Sequence, residues 1–320
     1  MKKLIAILLA AMMLLSMAAC GNAADGGADE KYVVGVCQLI KHDALDAATK
    51  GFIDTLKAEF GDNIEIIEKV ATGDMNSCTP IISDFVSKDV DLIMANATPA
   101  LQAAAAATED IPILGTSVTE YGVALDLKDF NGTVGTNVSG TSDLAPLDKQ
   151  AEMITEWFPE AKTVGLLYCS AEANSIYQVE KVAEYLGAKG ITATKYAFSD
   201  TNDLQAVTQK AADESDVIYV PTDNAAAAAT ETIGGVCEAA NKPVIAGEEG
   251  ICKGCGVATL SISYYDLGVT TGKMAIKILK GEAKVAEMPI EYADATKKYN
   301  KAICETLQLT APEGYVAIEE

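Results

Sequence analysis

Two well-separated stretches of this chain follow one plan. Residues 91–108 read DLIMANATPALQAAAAAT, and residues 216–230 read DVIYVPTDNAAAAAT. Each is an apolar run of strand length, then a cluster of small polar residues, then a run of alanines. A duplicated strand–polar–helix unit constrains the fold more tightly than any compositional figure, because it requires one architecture to be built twice.

The surrounding pattern supports two copies. Short β-branched runs at 32–39, 63–70, 91–97 and 111–117 alternate with stretches such as ALDAATKGFIDTLKAEF, in which apolar residues recur at helical spacing. The same order returns at 163–170, 191–198, 216–222 and 242–248, interleaved with NSIYQVEKVAEYLGAK, DLQAVTQKAADES and NAAAAATETIGGVCEAA, the last read as one continuous helix. Strand–helix alternation predicts right-handed βαβ units and a parallel sheet covered on both faces. Two series predict two α/β lobes. The polar clusters NATP and TDN then fall at the carboxyl ends of corresponding strands, the edge at which open α/β sheets bind ligands, and face each other across a cleft. Thr222, Asp223 or Asn224 can cap the helix that follows, and alanines let its backbone approach a ligand.

The amino terminus predicts export. Lys2 and Lys3 precede the apolar run LIAILLAAMMLLSMAA, which is short for a membrane-spanning helix and fits a leader over residues 1–19. Met17-Ala18-Ala19-Cys20-Gly21 resembles a bacterial lipoprotein cleavage site with Cys20 as the lipidated residue. Residues 20–31 contain nothing able to build a core and read as a flexible tether. The net charge of −22 argues against nucleic acid and anionic membrane surfaces as partners. All 24 basic residues are lysines, so a bound anion must be held by Lys, hydroxyl or backbone N–H groups. Of eight cysteines, most lie in apolar stretches and behave as small buried residues. Cys252 and Cys255 are the only close pair, and a local disulfide between them stays open as an alternative. With His42 the only histidine, no zinc ligand set is visible, and neither a metal nor a cofactor is expected.

The segments QLIKHDALDAATKGFIDTLK, ANATPALQAA, GTNVSG, VPTDNAAA and GEEGICKGCGVATLSISYYDLGVTTGKMAIKILKGE, in that order, resemble the ABC-transporter substrate-binding lipoproteins of the tryptophan/tyrosine-binding type. The resemblance spans essentially everything after the tether. It implies two Rossmann-like lobes with parallel sheets joined by a three-stranded hinge, the periplasmic-binding-protein type 1 fold. The implied lobes are 32–139 plus 263–290 and 140–262 plus 291–320, with crossings near 138–141, 259–263 and 289–293. The implied function is to carry an amino acid, aromatic in kind, to a membrane permease driven by an ATPase, from a monomer anchored by lipid to the outer face of the cytoplasmic membrane.

An amino acid needs an anion for its ammonium and donors for its carboxylate. Asp223 and Glu248, each ending a strand, are candidates for the ammonium. Thr98 and Ser117, with Ser170 opposite, suit the carboxylate in the absence of arginine, although Thr98 serves equally as a plain helix cap. Gln38, His42 and Asp43 follow the first strand, and Asn137, Asn174 and Asn224 are further polar candidates. The side-chain pocket is undetermined: Trp157 reads as core, and Tyr121, Tyr177 and Tyr264 have no decisive spacing.

A sugar or nucleoside receptor on the same fold is the alternative, weakened because strand ends carry Thr, Asp, Asn and Ser rather than aromatic platforms. A transcriptional effector domain does not fit the export signal. An enzyme is not expected: there is no GxSxG or GxxxxGK[ST] motif, and binding accounts for the paired carboxylates without turnover.

Overall fold

A computed structural model describes residues 31–319 of the chain. The expected leader, the lipidation site Cys20 and all of the tether before residue 31 lie outside the described residues. Two sheets are present. The first contains β1 (Tyr32–Gln38), β2 (Ile64–Val70), β3 (Leu92–Asn96), β4 (Ile113–Val118) and β5 (Val138–Ser142). The second contains β6 (Thr163–Cys169), β7 (Thr192–Phe198), β8 (Val217–Val220), β9 (Val244–Ala246) and β10 (Ala258–Ser261). Later in the chain, β11 (Glu291–Tyr292) extends the first sheet, while β12 (Thr296–Tyr299) and β13 (Val316–Ala317) extend the second.

The strand orders are 11-5-4-3-1-2 and 13-12-10-9-8-6-7. Without the added edge strands they are one topology written twice, as the repeated sequence predicts. Every pairing is parallel except β10 with β12.

The first sheet is buried on both faces by helices α1 (Asp43–Phe60), α2 (Met75–Ser87), α3 (Thr98–Ala107) and a short α4 (Tyr121–Ala124). Alternate residues point to opposite faces of a strand. Accordingly Val34, Val36, Leu92 and Met94 pack with Phe52, Leu56 and Met274, while Cys37, Ile93 and Ala95 pack with Ile82, Phe85 and Leu101. The second lobe is built likewise from α5 (Leu147–Trp157), α6 (Ala173–Ala188), α7 (Thr201–Glu214), α8 (Asn224–Ala227), α9 (Thr230–Ala239), α10 (Glu249–Cys255) and the late α12 (Lys301–Thr306). Trp157 belongs to this second core, edge-on to Tyr315 with ring centroids 5.3 Å apart.

Between α10 and α12 in the chain, α11 (Tyr264–Leu279) returns to the first lobe and packs on α1. Glycines make that return possible. A Cβ on Gly268 would lie 2.0 Å from the Ala48 carbonyl oxygen, and one on Gly51 would lie 2.2 Å from that of Tyr265. The two helices therefore meet backbone to backbone.

The chain thus passes between the sheets three times: after β5, between β10 and α11, and between β11 and β12. Ile262, Tyr264 and Leu267 pack there with Ala44 and Ala48, and Ala293 and Ala295 lie against them. Two boundaries differ from expectation. Residues 140–142 complete β5 in the first sheet, and residues 291–292 pair with Thr141 and Ser142 instead of entering the second lobe. Backbone pairing holds these segments to the first sheet, so the crossings follow at 143–146 and 293–295. The alanine-rich helix also differs. It breaks at Ala229 (φ −132°, ψ 28°) into α8 and α9, and Thr230 then packs on Gly254 of α10.

No helix among the described residues is long and apolar enough to cross a membrane. All seven cysteines there are buried and unpaired. Cys252 and Cys255 each donate their S–H back to a carbonyl of their own helix region, Gly256 and Ile251 respectively, and do not bond to each other.

Candidate functional site

The carboxyl ends of both sets of strands converge on one narrow cavity of about 10 Å³, room for roughly one water molecule. The first lobe lines it with His42 and Leu45 of the α1 entry, Ser117 and Thr119 at the carboxyl end of β4, and Tyr264 at the start of α11. The second lobe contributes Asn174 of α6, Thr222, Asp223 and Asn224 after β8, Ala227, and Glu248 after β9. Asp143 joins them from the first crossing. A groove of about 330 Å³ between α9, α10 and α12 is larger, but no residue of the first lobe lines it.

Backbone geometry at the first lobe's edge is unusual. Ala97 (φ 93°, ψ 156°) and Ser117 (φ 53°) occupy regions that favour glycine, at the ends of neighbouring strands. Such residues cost about 1–3 kcal/mol each and persist only where the surroundings hold them. The β4–β5 register shifts between Gly115 and Val118, around Ser117. Ser117 Oγ is buried at the cavity without a partner.

Three carboxyls of this cavity are buried. Asp143 accepts a hydrogen bond from Tyr264 Oη (2.9 Å) on one oxygen, while the other has no partner. Burial pushes its pKa up to about 6, with hydroxyls of Tyr264 and Thr119 opposing the shift. Asp223 is committed elsewhere: Ala226 N–H donates to one oxygen (2.8 Å), capping α8, and Cys169 N–H donates to the other (2.6 Å). Burial, and then the nearby charge of Glu172, raise it to about 7. Glu248 caps α10 by accepting from the N–H groups of Gly250 and Ile251, and burial raises it to about 7, with Asp143 contributing. No lysine lines the cavity. Environments that favour the protonated forms of three acids, with no cation among them, suit a ligand that brings its own positive charge.

The hydrogen-bond ledger points the same way. Four polar atoms at the cavity are buried without partners: His42 Nδ1, Ser117 Oγ, Asp143 Oδ1 and Asn174 Oδ1. Buried polar groups are rarely left so. Asn174 spends its amide N–H groups on Glu172 and the Thr222 carbonyl, which leaves its oxygen free. Across the cleft, His42 Nε2 lies 3.2 Å from Asn224 Oδ1, tying one lobe to the other.

Six of the residues expected from sequence therefore line the cavity: His42, Ser117, Asn174, Asp223, Asn224 and Glu248. The others are placed differently. Gln38 is buried beneath α1, bonded to Ile40 O (2.8 Å), Asp46 (2.5 Å) and Thr49 (2.6 Å), with no polar atom to spare. Asp43 faces an outer void shared with Gly250 and Lys253. Thr98 opens α3 with an unpartnered hydroxyl but does not line the cavity. Asn137 sits at the amino end of β5, the edge opposite the cleft, and holds the carbonyls of Thr108 and Ile111 (both 2.9 Å). Ser170 is exposed and donates to Phe198 O (3.1 Å). Tyr121 is core, bonded to Thr141 O.

Sequence reasoning missed Asp143 and Glu172. Asp143 has a readable signal, a carboxylate immediately after a strand where the chain changes lobes. Glu172 has none: its role as acceptor for Asn174, Asn224 and Ala225 depends on a loop conformation.

Comparison with known proteins gives consistent matches. The family profile described as ABC transporter substrate binding protein matches residues 33–318. The chain is 34% identical over 312 residues to the tyrosine-binding protein of Clostridioides difficile (strain R20291), covering 92% of this chain and 89% of that one. An ABC domain in complex with L-Trp from Streptococcus pneumonia superposes with a TM-score of 0.84 at 33% identity, over 90% of this chain and 100% of that one. The ligand-free, open structure of a substrate-binding protein with adhesive properties from Clostridium difficile scores 0.68 at 37% identity, over 90% of this chain and 99% of that one.

Proposed function

Because the chain belongs to the ABC transporter substrate-binding protein family, we propose that it captures an aromatic amino acid, tyrosine or tryptophan, outside the cytoplasmic membrane and presents it, lobes closed, to a permease for import. The tyrosine and tryptophan bound by these relatives support the choice of amino acid. The observation that carries the reading is the acceptor-rich cavity. Asp143 Oδ1 and Asn174 Oδ1 lack donors, and three buried carboxyls lack a cation. An ammonium supplies both.

In this reading Asp143 takes the ammonium, with Glu248 adding field from the second lobe. Ser117 Oγ donates to the carboxylate in place of an arginine. Closure follows from contacts made to both lobes at once: a ligand shifts the open–closed equilibrium by its differential affinity for the two states, and hinge closure of this kind is a recurrent switching mode. Nothing in the arrangement calls for turnover. Lipid anchoring through Cys20 and a monomeric state complete the proposal.

Thermal unfolding against L-tyrosine, L-tryptophan, L-phenylalanine, L-leucine, ribose and adenosine tests it. A ligand at a hundred times its Kd stabilises by about 2.7 kcal/mol, a shift of several degrees. Shifts with tyrosine or tryptophan, and none with ribose or adenosine, are expected. A shift from the sugar or nucleoside alone overturns the amino-acid assignment.

A further inference from the structure

The lone histidine is locked in one tautomer by a chain of bonds that begins in the other lobe. Glu172 is buried and surrounded by N–H donors: Asn174 Nδ2 (3.1 Å), Asn224 N (3.1 Å), Asn224 Nδ2 (2.6 Å) and Ala225 N (2.9 Å). A carboxylate so placed only accepts, so the Asn224 side chain must turn its NH₂ toward it. The Asn224 oxygen then faces His42 Nε2 at 3.2 Å. An oxygen there requires a proton on Nε2. Burial lowers the His42 pKa, with Asn224, Asp46 and Asp43 opposing, so the ring is neutral. A neutral ring protonated at Nε2 carries a bare acceptor at Nδ1, and that atom is buried without a partner.

His42 also marks one end of the cavity. It lines both this cavity and the outer void shared with Asp43 and Gly250. Asp143 and Tyr264 stand instead at the first and second crossings. If Asp143 holds the ammonium at the hinge end, the far end of the ligand meets His42.

We infer that His42, oriented by the Glu172–Asn224 pair, is a specificity residue whose Nδ1 accepts a hydrogen bond from the side chain of the bound amino acid, so that the site selects a phenol O–H or an indole N–H over a plain phenyl ring. This rests on the aromatic amino acid reading above. The selection works through penalty as much as gain: a phenyl ring leaves Nδ1 buried and unpaired, and rejecting an analogue that lacks the hydrogen-bonding group is what such sites do well.

Two measurements on ¹⁵N-labelled protein test it. Imidazole ¹⁵N spectra report a single histidine, so the tautomer is read directly. The expected result is the Nε2–H tautomer, with the bare-nitrogen Nδ1 resonance moving on addition of L-tyrosine or L-tryptophan and not L-phenylalanine. Titration calorimetry should give L-phenylalanine a Kd about tenfold to a hundredfold weaker than L-tyrosine. In His42→Phe the two should fall within about threefold, and Glu172→Gln, which frees the Asn224 amide to turn, should give a mixture of tautomers. An Nδ1–H tautomer in the liganded protein, equal affinities in the parent protein, or an unchanged ratio in His42→Phe overturns the inference while leaving the ligand class standing. No binding of any of the three amino acids overturns both.

Discussion

Asp143 and Asp223 line one cavity and do opposite work. Both oxygens of Asp223 are held by backbone N–H groups, so it serves its own lobe. Asp143 has one oxygen held by Tyr264 and one free, so it has capacity for a ligand. Replacing Asp223 with alanine removes the cap of α8 and strands the Cys169 N–H. That change should cost about 1–3 kcal/mol of stability, measured by denaturant unfolding. An Asp223→Ala protein as stable as the parent would show that those N–H groups find other partners. The contrast also shows what the sequence can carry. An acid after a strand locates the cleft edge correctly, as it did for Asp223 and Glu248. Whether that acid faces the ligand or its own backbone depends on loop geometry two residues away, which no spacing reveals. Gln38 is the same lesson in reverse: it follows the first strand, yet α1 sits over it and consumes every polar atom.

At the scale of elements, strands and helices were legible because period and repetition agree, and both sheets share one strand order. The boundaries were less so. β5 runs to Ser142 because its pairing with β4 continues past the bulge at Ser117, and β11 is two residues long, too short to declare itself in sequence. The alanine run read as a single helix because alanine has the highest helix propensity, but no side chain there resists a break. The α1–α11 contact makes the sharpest test. Gly268→Ala would push a methyl into the Ala48 backbone. Overpacking of this kind should cost about 1–3 kcal/mol, read as a lowered Tm, and an unchanged Tm would mean the helices do not meet this closely.

Across the whole molecule, three buried carboxyls with raised pKa values couple the fold to pH. An aspartate in the unfolded chain releases its proton near pH 4, whereas Asp143 does so near pH 6 when folded. Between those values the folded state binds more protons, so stability falls as pH rises and the loss is complete above about pH 7. Asp223 and Glu248 extend the window slightly upward. Relief of net negative charge adds a similar slope, so the variant is the informative comparison. The ligand-free parent should lose more Tm between pH 5 and pH 8 than Asp143→Asn does. Identical slopes would remove Asp143 as a contributor.

The central claim is that the closed cavity binds an aromatic amino acid through Asp143. Isothermal titration of L-tyrosine into the parent protein and into Asp143→Asn at neutral pH tests it most directly. Saturable binding in the parent, weakened about tenfold to a hundredfold in a variant whose Tm is not lowered, is the predicted result. Equal affinity in the two proteins, or no binding in the parent, would contradict it.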